Sequence, residues 1–253
     1  MKLFKECLAE FGDLLWPARC LLCARPATHL DCCASHELPE GLVGSRCPRC
    51  AARLPDAIGD GVLCARCRLR PPAFDLSTAC WDYWGQAAAR EHILAAKHRS
   101  RVELWHQLGH RLGEQLISEG AQRPLIVPVP CHLSRKIERG YDSTALLASA
   151  AAERCGGRLV HALRRVRPTR SQGDPLVVDR ARNVRGSIRP MRGAASSQLE
   201  GRSVWLVDDV MTSGSTANEC ARALKVLGVK KVQVCVLACA TLRSFDEDVQ
   251  SEA

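Results

Sequence analysis

Val204-Trp-Leu-Val-Asp-Asp-Val-Met-Thr-Ser-Gly-Ser-Thr216 is the stretch on which the reading of this chain turns. Four apolar residues, Val204 to Val207, make Ser203 to Val207 read as a buried strand. Asp208 and Asp209 follow at once, then a small hydroxylated loop from Thr212 to Thr216, then a helical pattern ending at Gly228. A loop that opens a helix offers unpaired backbone N–H groups and a favourable dipole to an anion. Gly214 lets the backbone come close, and Thr212, Ser213, Ser215 and Thr216 add hydroxyl donors. Two carboxylates at the carboxyl end of the strand can accept hydrogen bonds from vicinal hydroxyls. A phosphate and a diol a few ångströms apart describe a ribose 5-phosphate. The alternative, a capped turn with ordinary surface acids, explains each part but not their conjunction.

Working outward, further strands and helices alternate with this unit. Ala79 to Trp84 resembles a short strand, and Ala87 to Ala96 reads as a helix. Leu104 to Ile117 is helical, with apolar residues at 104, 105, 108, 112 and 116. Leu125-Ile-Val-Pro-Val-Pro130 is a buried strand stopped by proline. Ser143 to Cys155 is an alanine-rich helix that stops at Gly156-Gly157, and Thr216 to Leu227 is the helix after the loop. Lys231 to Thr241 is a last strand. Such alternation implies an α/β fold with a mainly parallel, doubly wound sheet and right-handed crossovers. Ligands of such sheets sit outside the strand carboxyl ends, where the quoted loop lies.

Residues 158 to 192 show little regular pattern. They carry ten arginines and two aspartates, a formal +8. The segment suits a mobile loop closing on an anionic ligand, a track for a nucleic-acid backbone, or a solvated loop. The chain as a whole has a net charge of +9 over 253 residues, mostly through arginine, whose fork suits phosphates. Aromatic content is 4%, too little for a surface dominated by base-stacking platforms.

The first 72 residues differ. Met1 to Leu15 has apolar residues at helical spacing, while Glu6, Glu10 and Asp13 interrupt any signal-peptide core, so 1–17 is expected to be an amphipathic helix packed on its own protein, with a membrane-surface helix as the alternative. No apolar run approaches the length of a membrane span, so stable membrane insertion is not expected and the expected location is the cytoplasm. Residues 18–72 hold eight of the 15 cysteines and too little apolar surface for a core of their own. An odd cysteine count argues against a disulfide framework. Cys47-Pro-Arg-Cys50 and Cys64-Ala-Arg-Cys67 lie 13 residues apart, the spacing of a four-thiolate zinc site. An iron–sulfur cluster in the same ligands, or a set of reduced inert thiols, is the alternative. Cys20-Leu-Leu-Cys23 is a clean half-site, and Cys33 with His36 completes a second zinc, with Cys32 as the alternative thiolate. Cys7, Cys80, Cys131, Cys155, Cys220, Cys235 and Cys239 lack such partners and read as packing residues. Arg70-Pro-Pro-Ala-Phe74 reads as a linker. The expected division is a helix at 1–17, a double zinc ribbon at 18–72, a main domain at 73–245 and a polar tail at 246–253.

Val207 to Thr216 resembles the PRPP-binding motif of type I phosphoribosyltransferases. Val127-Pro-Val-Pro130, Arg135, Lys136 and Arg139-Gly-Tyr-Asp142 resemble the segment that follows the pyrophosphate loop in the ComF/GntX family. Gln172, Leu176, Arg180 and Asn183-Val-Arg-Gly186 match that family's mobile-loop region, and Lys97 stands where the family has a lysine before an aromatic, here His98. With the cysteine-rich start, the resemblance covers nearly the whole chain. The family's usual second Cys-x-x-Cys of the first metal site is missing. The resemblance implies that Asp208 and Asp209 contact the ribose hydroxyls and that Thr212, Ser213, Gly214, Ser215 and Thr216 hold the 5-phosphate. It implies magnesium with the pyrophosphate, Arg135, Lys136 or Lys97 as its neutralising charges, and Arg180 closing over it. The family includes competence proteins linked to uptake of single-stranded DNA. The implied function is therefore that of a phosphoribosyltransferase-type protein binding PRPP or ribose 5-phosphate, with pentosyl transfer from PRPP as its reaction, in DNA uptake or nucleotide metabolism. The alternative is a non-catalytic accessory protein that binds single-stranded nucleic acid, works beside competence-machinery proteins and retains the phosphate site. No acceptor pocket can be read from the residues.

Overall fold

The computed structural model describes residues 19–27, 32–39, 41–42, 44–55, 59, 61–98, 102–168, 182, 184–191, 193 and 197–240. The expected N-terminal helix and polar tail lie outside them. So do Gln172, Leu176, Arg180 and Asn183 of the expected mobile loop.

Seven strands are present among the described residues: β1 (Leu76–Asp82), β2 (Leu125–Pro128), β3 (Arg158–Leu159), β4 (Leu163–Arg165), β5 (Ile188–Pro190), β6 (Ser203–Met211) and β7 (Lys231–Cys239). The helices are α1 (Ala65–Leu69), α2 (Ala87–His98), α3 (Val102–Ser118), α4 (Leu133–Arg139), α5 (Ser143–Cys155) and α6 (Ser215–Val226). Five strands form one sheet in the order β1-β7-β6-β2-β3, with every pairing parallel. β4 and β5 pair antiparallel as a separate ribbon. The segment from 158 to 192 is therefore partly regular, contrary to expectation. Its strands are two or three residues long and carry arginine, so they leave no apolar alternation to read.

Alternation along the central strands divides the core in two. Trp205, Val207, Cys235 and Leu237 join Trp81, Ile93 and the apolar face of α3 on one side. Val204, Leu206, Val234 and Val236 join Phe74, Ala217, Cys220, Ala221 and Leu224 of α6 on the other. Residues one apart on a strand face opposite ways, and both faces are covered, which is why these strands read as continuous apolar runs. α3 carries Leu104, Trp105, Leu108, Leu112 and Leu116 inward, as the period requires.

The turn at Arg139-Gly-Tyr-Asp142 has a local explanation. Gly140 ends α4 with φ of 77°, where a side chain would be strained. The Tyr141 hydroxyl donates to the Ala96 carbonyl at 3.3 Å and accepts from Trp105 Nε1 at 3.3 Å, joining α2 to α3. Asp142 caps α5 by accepting from the Ala145 N–H at 3.1 Å. Arg70 to Phe74 is no loose tether. Phe74 is 1% exposed and packs on the α6 side of the sheet, and the Ala73 N–H donates to Asn218 Oδ1 at 2.7 Å. Two prolines and an arginine mask one buried aromatic in the sequence.

Candidate functional site

Pairing of β6 with β2 ends at Pro128 opposite Val207, while pairing with β7 runs on to Met211 opposite Cys239. The strand is thus longer than its apolar run, and the acidic pair lies inside its last turn of pairing. β2 leaves the sheet after Val129, whose N–H still reaches the Val207 carbonyl at 2.9 Å, because Pro128 and Pro130 bring no donor to the ladder. The sheet opens where Asp208 and Asp209 begin.

Asp208 is raised to about 7 by burial first and by the Asp209 charge second. The Asp209 N–H, Lys97 and Arg165 pull the other way. Lys97 Nζ lies 2.9 Å from Asp209 Oδ2. With Asp208 partly protonated near neutral pH and Asp209 paired to Lys97, the three groups carry less negative charge than two free carboxylates, which eases the approach of an anionic ligand. Arg165, from β4, is a site residue that sequence reasoning missed, because it sat in a run of arginines with no distinguishing pattern.

Beyond the pair, Gly214 adopts φ of 71° and serves as the N-cap of α6 with no side-chain cap. A Cβ there would meet Met211 Sδ and Phe74 Cζ at 3.7 Å, ordinary contact, so the sign of φ requires the glycine and space does not. The first N–H groups of α6 therefore have no side-chain acceptor on Gly214. Ser213 Oγ and Ser215 Oγ are 2.9 Å apart at the same end, with Thr212 and Thr216 half-buried beside them.

Lys136 is turned to Asp142 Oδ2 at 2.6 Å, so the structure engages it in the α4–α5 turn. Arg135 lies on α4, one residue before Lys136.

The cysteine-rich part presses on this site. Arg66, between Cys64 and Cys67, donates through Nη2 to the Ser213 carbonyl. In a trans peptide C=O and N–H point oppositely, so this bond turns the Gly214 N–H away from the module. Arg49 Nε donates to the Phe74 carbonyl at 3.2 Å, and Arg46 pairs with Asp82 at 3.1 Å. No motif rule would have singled out these arginines.

Both Cys-x-x-Cys half-sites fold alike. Ala24 and Ala51 take positive φ after Cys23 and Cys50, and the bridges Arg19–Pro26 and Arg46–Arg53 close the two turns. Arg19 and Arg46 each donate to the carbonyl of that alanine. Cys47, Cys50, Cys64 and Cys67 bring their sulfurs within 4.8 Å of one another, and so do the ligand atoms of Cys20, Cys23, Cys33 and His36. Cys50 and Cys64 sulfurs are 3.6 Å apart and those of Cys23 and Cys33 3.7 Å. A tetrahedral zinc with thiolates at its usual distance sets sulfurs about 3.8 Å apart, so both sets fit that ion. His36 turns Nδ1 to the Cys20 and Cys33 sulfurs, at 3.5 and 3.3 Å, and Nε2 to Glu91 at 3.6 Å. A carboxylate behind a ligating histidine fixes its ring. Cys32 faces His92 Nε2 at 3.4 Å and Gln107 instead, which decides between the two adjacent thiols.

Of the remaining cysteines, Cys80, Cys220, Cys235 and Cys239 are buried, Cys131 and Cys155 partly so, and Cys7 lies outside the described residues. Among the described residues no helix is long and apolar enough to cross a membrane.

Known proteins bear on this arrangement. A model of the phosphoribosyl transferase domain matches residues 158–248. The chain is 31% identical over 234 residues to the DNA utilization protein YhgH of Salmonella typhimurium, covering 89% of this chain and 98% of that protein. It is 34% identical over 114 residues to competence protein F of Haemophilus influenzae, covering 45% of this chain and 49% of the relative. The solved allosteric regulatory enzyme of purine biosynthesis superposes with a TM-score of 0.35 at 25% identity over 52% of this chain and 25% of that one, a likeness too loose to add to the fold assignment. With its likeness to YhgH over 89% of its length and a doubly wound parallel sheet that ends in an acidic pair and a hydroxylated loop, the chain belongs to the ComF family and carries a type I phosphoribosyltransferase domain.

Proposed function

We propose that this protein binds PRPP through the end of β6 and the start of α6, as a phosphoribosyltransferase-type protein of DNA utilization. The observation that carries the reading is the junction itself. An acidic pair stands where the sheet opens, and one turn later a left-handed Gly214 presents a helix N-terminus. Asp208 and Asp209 would take the ribose hydroxyls, and the N–H groups and hydroxyls from Thr212 to Thr216 the 5-phosphate. Magnesium would arrive with the pyrophosphate. Lys97 would pass from Asp209 to the leaving group as the sugar hydroxyls replace it, with Arg135, Lys136 and Arg180 as further charges. Transfer would proceed through a cationic ribosyl centre, stabilised by placement and by charge. The two cysteine-rich sets would hold zinc and keep Arg66 against the loop.

Calorimetry with PRPP and magnesium tests this. Wild type should bind, and Asp208→Ala with Asp209→Ala should not. Equal binding by both would remove the reading.

A second reading has its own observation. Arg164 and Arg189 are register partners on the β4–β5 ribbon, next to Arg165. Paired basic strands suit a phosphate backbone, and relatives are named for DNA utilization and competence. Binding of short single-stranded DNA should then weaken steeply with salt, and Arg164→Ala with Arg189→Ala should reduce that slope. Binding indifferent to salt would count against it.

A further inference from the structure

A third cluster of metal-ligating side chains stands apart from the cysteine-rich module and from the phosphate loop. His106 and His110 lie one turn apart on α3, so their side chains share a face. Glu153 reaches that face from α5. His106 Nε2 is 3.3 Å from Glu153 Oε2, and His110 Nε2 is 4.0 Å from the same oxygen. The three ligand atoms all lie within 4.8 Å of one another, and the imidazole rings are 4.4 Å apart between centroids.

We propose that His106, His110 and Glu153 form a binding site for a divalent transition-metal ion of the zinc or nickel class, with a coordination position left open. Three observations support it. The first is spacing. Zinc held by nitrogen and oxygen at its usual bond lengths sets its ligands about 3.4 Å apart. His106 and Glu153 already stand at 3.3 Å, while His110 at 4.0 Å would have to close by about half an ångström, within the reach of a side-chain rotation.

The second is an orphan. His110 Nε2 is shielded from solvent, yet it has no hydrogen-bond partner among the described residues. A nitrogen in that position is left short of a partner unless an ion takes it. The Glu153 carboxylate is within hydrogen-bond distance of His106 but stands 4.0 Å from His110 Nε2, which it leaves without a hydrogen bond.

The third is rigidity. Gly109 and Gly113 flank His110 in sequence and let α5 approach closely. A Cβ on Gly109 would lie 2.5 Å from Ala150 Cβ, and one on Gly113 would lie 2.6 Å from Arg154 Cβ. The two helices are locked at the distance that Glu153 needs to reach both histidines, and a site on packed helices holds its geometry better than one on loops.

Two imidazoles and one carboxylate prefer zinc, nickel or copper to magnesium or calcium, which take oxygen ligands. The side chains are 55%, 40% and 69% exposed, so water or an external ligand can fill the remaining position. This site would exist whether or not PRPP binds.

Calorimetric titration of the full chain with Zn2+ tests it by a difference in stoichiometry, which is independent of how many ions the thiolates hold. Wild type should take up one equivalent more than His106→Asn with His110→Asn. Glu153→Gln should weaken that equivalent, and His161→Asn, elsewhere on the surface, should leave it intact. Circular dichroism on the same samples should show the variants folded. In a Co2+ titration, the equivalent lost in the double variant should carry the visible bands of nitrogen and oxygen ligands without thiolate charge transfer. Equal stoichiometry in wild type and double variant, or thiolate character in that equivalent, overturns the proposal.

Discussion

The parallel sheet and the cysteine-rich module are ordered by opposite means. β6 and β7 bury nearly every side chain from Val204 to Val207 and from Val232 to Cys239. The module's own buried cluster is Cys47, Leu54 and Cys67, and two of those three are candidate metal ligands. Burial of apolar surface scales with area, so the sheet can hold itself. The module cannot, and its turns close around sulfur. The loop from Thr212 to Thr216 therefore stands between two stabilities: its strand belongs to the sheet, while its Ser213 carbonyl is held from the module by Arg66.

The largest expected effect breaks the module alone. Cys47→Ser with Cys67→Ser removes half of one ligand set, and structural zinc is worth on the order of 10 kcal/mol in small domains. Residues 44–70 should become rapidly cleaved in limited proteolysis while the sheet's circular dichroism persists. PRPP affinity should fall as well, because the Arg66 contact goes with the module. A module that stays resistant would mean that contacts with β1, such as Arg46 with Asp82, hold it without metal.

A smaller effect breaks the sheet alone. Leu206 is fully buried in the middle of β6. Leu206→Ala should lower stability by about 2–5 kcal/mol in denaturant titration. Metal content per folded chain should not change.

The smallest effect sharpens the boundary between the two regions. Asp208 has its pKa raised from 3.8 to about 7 in the folded protein. Over that range the folded state holds more proton than the unfolded one, so stability contributed by the protonated acid is present at low pH and is lost as pH rises through about 7. Asp208→Asn should abolish this slope and raise the unfolding midpoint at pH 8 relative to wild type, while it loses PRPP binding. Unfolding curves at pH 5 and pH 8 measure both. An unchanged slope would place the buried charge elsewhere.

Much of the sheet was legible because its strands are apolar on both faces and its helices keep a 3.6-residue period. β6 extends past its apolar run to Met211 because β7 continues to pair with it, and no residue pattern announces a strand that carries two aspartates. The strands β3, β4 and β5 were hidden by their length and their arginines. Of the candidate site, Asp208, Asp209 and the loop were legible as a motif. Arg165, Arg66 and Phe74 were not, because each reaches the site from a distant part of the chain.

By itself the sequence determined the alternation of strand and helix, the acidic pair before a hydroxylated loop, and the thiol spacings, since these depend on neighbours within a few residues. Tertiary structure decided that Cys33 and not Cys32 stands with Cys20, Cys23 and His36, for helices α2 and α3 supply the partners that draw Cys32 away. It also decided that Lys97 faces Asp209 and that Phe74, at the end of the supposed linker, is buried. These depend on contacts between residues far apart in the chain, and local propensity carries no record of them.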